Sequence, residues 1–227
     1  FLGITVTNGA GSPRDGIYAR TTDEEMQAIR RGEQKKAASI GEYSGVVLLN
    51  HTSKDAKSPA ARAIVDDIRL VLEASRPGVV YTHNLADKHD THVGVALKAI
   101  LAMREMDPKA RPKRVLGCEV WRNLDWMQDS DKTVLDISGR ENLAASLMGV
   151  YDSQIAGGKR YDLANTGRWR ANASFYASHD TDKSTALSYA MDLTPLVLDP
   201  GMDVIGYVRG FIERFDRDVS ERIRNLS

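Results

Sequence analysis

A single cysteine, Cys118, stands among 227 residues. No disulfide can close within the chain, and a reducing compartment, the cytoplasm, is the expected setting. Cys118 lies in Val115-Leu116-Gly117-Cys118-Glu119-Val120 and reads as a small apolar residue of a buried strand. No apolar run is long enough to span a bilayer, and no secretory signal is visible. Charge of one sign is also missing: Lys+Arg and Asp+Glu are both 31, a formal net charge of zero. That balance argues against a general nucleic-acid binder, which usually carries a basic excess, and leaves room for a local basic pocket. No Gly-x-Ser-x-Gly elbow, P-loop or Cys-x-x-Cys pair occurs, so serine hydrolase, nucleotide hydrolase and thiol redox chemistry lack support. Gly9 and Gly11 do not make a dinucleotide loop, because Pro13 follows where a helix start and a third glycine are needed. There is no repeat, no low-complexity segment and no linker, so residues 1–227 are expected to form one domain. An initiator methionine is absent too. Phe1-Leu2-Gly3-Ile4 opens directly in strand-like sequence, which reads as a chain whose beginning has been removed.

What is present is an alternation of short apolar runs and longer amphipathic stretches. Leu2 to Thr7, Gly45 to Leu49, Gly78 to Tyr81, Val115 to Val120 and Val134 to Ile137 read as strands. Thr22-Asp23-Glu24-Glu25 is a capping box that opens a helix to about Gly41, with Met26, Ile29, Ala37 and Ile40 inward. Ser58-Pro59 opens another, with Ile64, Ile68, Val71 and Leu72 as its stripe, ended by Pro77. Val93 to Met103 and Asn142 to Val150 read as helices. Gly157 to Tyr161 reads as a mobile loop, Asp192 to Val197 as extended, and Asp203 to Ile223 as a final amphipathic helix. Strands alternating with helices predict an α/β fold, Rossmann-like and three-layered, with a mostly parallel sheet and helices on both faces.

The chemistry concentrates in Tyr81-Thr82-His83-Asn84-Leu85-Ala86-Asp87-Lys88-His89-Asp90-Thr91-His92. Three histidines and two aspartates crowd a strand-to-helix loop, and in open α/β sheets that loop lies at the carboxyl edge where ligands bind. His89 and His92 are three apart and share a face once the helix has begun. Such a pair can share a metal, or divide metal binding and catalysis between them. It can equally cap the helix and bond solvent. Asp87 can orient a histidine or cap the helix. His83 reads as a satisfied strand-end histidine that can also line the site. Arg30 and Glu33 make an intrahelical ion pair by default, with a sugar- or phosphate-binding arginine as the sharper alternative. Trp121, Arg122, Asp125 and Trp126 leave a strand's carboxyl end, where they can wall a pocket or pack in the core. His179 falls in a surface loop, and Asp192 reads as a turn residue.

Taken in order, these segments resemble the PIG-L/LmbE-like family of zinc-dependent N-acetylglucosaminyl de-N-acetylases. Ile4 to Gly11 is similar to the family's second strand and turn, and Ile29-Arg30-Arg31-Gly32-Glu33 to its helix with Arg-x-x-Glu. Asp87-Lys88-His89-Asp90-Thr91-His92 is similar to its second signature, and Asp152-Ser153-Gln154 to a later Ser-Gln. The resemblance implies a metal-dependent hydrolase that removes acetyl from an N-acetylated amino sugar or conjugate with zinc-activated water. Zn2+, or another divalent ion, is the implied cofactor, and a small amino sugar the implied partner. His92 is implied as the metal ligand and His89 as the residue that stabilises the oxyanion or protonates the leaving amine. Arg30 is implied to reach the sugar, with Asp87 and Asp90 orienting the histidines. The chain departs from the family in two places. The His-Pro-Asp-Asp motif, which supplies two ligands and the base, is absent and would fall just before Phe1. Thr91 also stands where an aspartate usually precedes the last histidine. A non-catalytic carbohydrate-binding relative is therefore the alternative expectation.

Overall fold

The computed structural model describes residues Phe1–Ser227. In chain order the elements are β1 (Leu2–Thr7), α1 (Asp23–Ile40), β2 (Gly45–His51), α2 (Ser53–Lys57), α3 (Arg62–Ser75), β3 (Val79–His83), α4 (Asp90–Arg104) and β4 (Arg114–Cys118). There follow β5 (Lys132–Asp136), α5 (Glu141–Gly149), α6 (Asp152–Ile155), α7 (Tyr161–Phe175), β6 (Leu187–Asp192), α8 (Thr194–Leu198) and α9 (Val204–Leu226). They belong to two compact units. The first comprises Phe1–Ser58 and Asp136–Leu187, the second Pro59–Leu135 and Ser188–Ser227.

In the first unit β1 and β2 pair in parallel, Leu2 opposite Gly45 and Thr5 opposite Leu48. The connection between them is α1, and its start is fixed as the sequence predicts. Thr22 Oγ1 accepts the Glu25 N–H at 3.2 Å while Glu25 Oε2 accepts the Thr22 N–H at 2.8 Å. Asp23, Glu24 and Glu25 also set negative charge against the helix's positive end. The cap stabilises the helix by about 1 kcal/mol. Met26 and Ala37 are buried as expected, and Ile40 is not. The inward stripe runs Met26, Arg30, Glu33, Ala37, so helical spacing carries an ion pair into the same face as the apolar anchors.

The second unit holds the four-stranded sheet, in the order β3-β4-β6-β5. β3 and β4 are parallel, with Val79 opposite Arg114 and His83 opposite Cys118. β6 runs antiparallel to β4, Cys118 opposite Ala190. The mostly parallel sheet expected from the sequence is thus mixed here. Added antiparallel strands are common on α/β sheets, and an apolar run such as β6 carries no mark of pairing direction. α3 packs against α4, and Ile64, Ile68 and Leu72 of α3, Ile100 and Met103 of α4, Val115 and Leu116 of β4, and Tyr189 and Met191 of β6 are all buried.

Three further differences have local causes. Ser58-Pro59 does not open a helix. Thr52 instead caps the short α2 through the Asp55 N–H (3.1 Å), and α3 begins at Arg62. Asp192 to Val197 is not extended throughout, because Pro195 sits in the first turn of α8 and presets its dihedral. α7 leaves little trace in the sequence because Asn, Arg and Ala dilute its stripe. It is tied instead by the buried Asn172, whose Nδ2 donates to the Leu187 carbonyl at 3.1 Å. No helix is long and apolar enough to cross a membrane.

Candidate metal centre

β3 ends at His83, and the chain turns at once through Asn84 and Asp87 into α4. Two bonds pin that turn to the neighbouring strand: the Asn84 N–H and Nδ2 both donate to the Cys118 carbonyl, at 3.1 and 3.0 Å. The fully buried Asn84 keeps its Oδ1 without a partner. The turn can lie this close because Gly117 opposes it. A Cβ on Gly117 would stand 2.9 Å from Asn84 Cα and 2.9 Å from a Leu193 methyl. Gly117→Ala is therefore expected to shift the His83–Asn84 backbone and cost about 1–3 kcal/mol. Denaturant titration measures the loss, and an unchanged midpoint contradicts the account.

Asp87 organises the entry to α4. Its Oδ1 accepts the His89 N–H at 3.1 Å, and its Oδ2 accepts the Trp121 N–H at 3.2 Å and lies 3.3 Å from His92 Nδ1. Burial alone disfavours its charge, but the bonds from His92, His89 and Trp121 outweigh that. They hold the Asp87 carboxyl below the ordinary carboxylate range. A carboxylate on Nδ1 fixes the imidazole so that Nε2 points outward, the usual support for a metal-binding histidine. The expectation that Asp87 orients a histidine has this geometry beneath it, whereas the helix N-cap position is His89.

The imidazoles stack. His83 lies 3.9 Å from His92 between ring centroids, with 7° between planes, and His89 lies 4.5 Å from His92 at 22°. Burial pushes the His83 pKa down to about 4 and lowers that of His92, so both rings are neutral and keep lone pairs for a metal at neutral pH. The His89 side chain makes no capping bond; its exposed ring faces Trp121, 5.8 Å away. Asp90 opens α4 at the surface. Of the residues leaving β4, Trp121 meets His89. Trp126 packs against Phe215 of α9 (6.5 Å) and Asp125 pairs with Lys132 (3.5 Å).

His83, Asp87 and His92 bring their ligand atoms within 4.8 Å of one another. Two neutral imidazoles and a carboxylate are the number and type of donors that a catalytic zinc site takes from protein. The residues present therefore fit such an ion. His83 is the member that sequence reasoning set aside. Its position at the carboxyl end of the strand feeding the loop was the available signal.

Cys118, opposite His83, is not part of this chemistry. Burial first, and then the Glu119 charge, pushes its thiol up to about 11. At mildly alkaline pH, native Cys118 is expected to alkylate about a hundredfold more slowly than in urea, following its thiolate fraction. Equal rates, followed by mass spectrometry, contradict that.

A second cluster forms in the first unit. Glu33 is buried and its Oε1 accepts the Ser153 N–H at 2.7 Å, while Oε2 accepts Ser153 Oγ at 2.8 Å and Arg30 Nη1 at 2.5 Å. The Arg30 guanidinium stands 5.3 Å from the Tyr151 ring centroid. Gly9, at φ 82°, lies against the stem of Arg30, where a Cβ would come within 2.7 Å of Arg30 Cγ. Two segments read separately in the sequence, Arg-x-x-Glu and Ser-Gln, are joined here by hydrogen bonds.

The family model described as PIG-L, GlcNAc-PI de-N-acetylase, matches residues 1–103. No curated protein matches significantly. Among solved structures, the chain is similar to the N,N'-diacetylchitobiose deacetylase of Pyrococcus horikoshii. The two are 16% identical with a TM-score of 0.63, covering 87% of this chain and 74% of that one. It is also similar to GalB, the 4-carboxy-2-hydroxymuconate hydratase of Pseudomonas putida KT2440, at 16% identity and TM-score 0.61 over 85% and 83% of the two chains. The A40926 pseudoaglycone deacetylase Dbv21 matches at 15% identity and TM-score 0.56 over 84% of each. Residues 1–103 are thus similar to the PIG-L family, and the Rossmann-like α/β fold of the chain is the one shared by these deacetylases and the hydratase.

Proposed function

We propose that this chain is a metal-dependent N-deacetylase that hydrolyses the acetamide of an N-acetylated amino sugar or its conjugate. The observation that carries this is the His83, Asp87, His92 cluster at the carboxyl edge of β3, within the segment that matches the de-N-acetylase family. Fold alone does not decide the reaction, since a hydratase shares it. His92 would hold the metal through Nε2, with Asp87 keeping its ring in place, and His83 is the further imidazole within reach. A divalent ion held there, zinc or a close relative, supplies Lewis-acid polarisation of the acyl carbonyl and acidifies water. His89, exposed beside His92, is suited to stabilise the developing oxyanion or to hand a proton to the leaving amine. Asp90, one residue on, is assigned to orienting His89. Arg30 is assigned to the sugar, because a guanidinium fixed by Glu33 and Tyr151 presents planar donors suited to hydroxyls. Residues 1–227 would act as one catalytic domain, in the reducing cytoplasm, with no nucleic-acid partner.

A second reading rests on one observation. Asp87 is the sole carboxylate of the cluster, and hydrogen bonds already occupy both its oxygens. A site without a further base suits a non-catalytic carbohydrate binder. Acetate release from N-acetylglucosamine conjugates, run beside metal analysis, separates the two. About one metal per chain with acetate release supports the deacetylase. Sugar binding without metal or acetate release supports the binder.

A further inference from the structure

Helix α9 is held by one side only. Phe211 is buried, edge-on to Tyr207 at 5.2 Å and under the Arg214 guanidinium at 4.6 Å. Arg214 Nε pairs with Asp131 at 2.6 Å, and the Tyr207 hydroxyl donates to the Asp192 carbonyl at 2.6 Å. Beside that anchored side runs a second apolar stripe, of which Phe215 also meets the Trp126 ring at 6.5 Å. Ile205, Ile212, Phe215 and Val219 are 70%, 48%, 40% and 38% exposed, and the half-buried Val208 completes the series. From Ile205 to Val219 its steps alternate between three and four residues, the spacing of a coiled-coil seam, and Ile223 and Leu226, 63% and 84% exposed, carry apolar surface on to the helix end.

We infer that this stripe is a homodimer interface, in which α9 of one chain packs antiparallel against α9 of a second copy. The charges beside the seam choose that arrangement. With Ile212 facing Phe215 of the second copy, Val208 faces its Val219 and Ile205 the stem of its Arg222. Arg209 then lies beside Asp216 of the second copy, and the twofold axis repeats the pair. Sliding the helices by one heptad in one direction brings Arg209 against its own counterpart, and in the other sets Asp216 against Asp216. A parallel pair places two Arg222 side chains in the seam and leaves Arg209 and Asp216 opposite apolar residues. Both charges are available at the surface: Arg209 makes only a loose pair with Glu213, at 3.7 Å, and Asp216 is exposed. Complementary charges beside an apolar seam set register and orientation in coiled coils, and here one register satisfies them.

Sedimentation equilibrium of the 227-residue chain tests this. The expected mass at micromolar concentration is twice the 25.1 kDa of the chain. Arg209→Asp and Asp216→Arg should each weaken the dimer about tenfold, since each breaks two pairs and creates two repulsions. The double variant should return to the wild-type constant. Ile212→Glu should give a monomer with unchanged circular dichroism. A wild-type chain monomeric at every concentration overturns the inference and leaves the stripe to another partner. A dimer that survives Ile212→Glu places the contact elsewhere, and a double swap that restores nothing refutes the register.

Discussion

His92→Ala is expected to abolish acetate release and to lower zinc affinity more than about a hundredfold. Removing a partner that merely orients a metal-binding histidine costs about 10–100-fold, so loss of the histidine itself must exceed it. The comparison with Asp87→Asn makes the result specific. Asp87 Oδ2 faces His92 Nδ1 at 3.3 Å, and an amide there can no longer fix the ring as a carboxylate does. If Asp87 orients, its variant retains weakened metal binding. If Asp87 is itself a ligand, the two variants fall together. Isothermal titration with zinc and an acetate assay read both. The proposal fails if His92→Ala binds zinc as tightly as the wild type, provided circular dichroism shows both folded. His83→Ala belongs in the same series, because His83 is the third donor of the cluster.

Glu33→Ala is expected to cost about 3–5 kcal/mol, which removing one partner of a buried ion pair typically does. The carboxylate bonds the Arg30 guanidinium and both the N–H and the hydroxyl of Ser153, and its loss strands them together. For a chain of this size that is a fall in melting temperature of roughly 10 °C or more. Arg30→Ala should cost less, because Ser153 still satisfies both carboxylate oxygens. It should instead weaken sugar binding if Arg30 has the role assigned to it. A Glu33→Ala protein that melts within a degree or two of the wild type shows that the pair stabilises nothing.

Much of this arrangement is legible in the chain, and the limits of that legibility are physical. The capping box at Thr22, the strand at Gly45 and the final amphipathic helix are local patterns, and each stands as read. The mixed sheet is hidden because pairing direction is a tertiary property. α8 escapes because a short buried helix and an extended apolar run look alike. At the cluster, His92, His89 and Asp87 are visible from their spacing. His83 is not, because its contact with His92 spans nine residues and depends on where β3 ends. The bond from Glu33 to Ser153, 120 residues away, leaves no periodic trace in either segment.

The division of the chain bears on how it can be made and cut. The backbone passes between the two units at 58/59, 135/136 and 187/188, so neither is a contiguous stretch. A protease that nicks one crossing leaves the units joined through the other two, and no single truncation yields either one whole. On the ribosome the first unit can close only after Leu187 has emerged, and the second, which bears the histidines, must wait for α9. Its early segments therefore wait longer for their partners than those of a contiguous unit of the same size would.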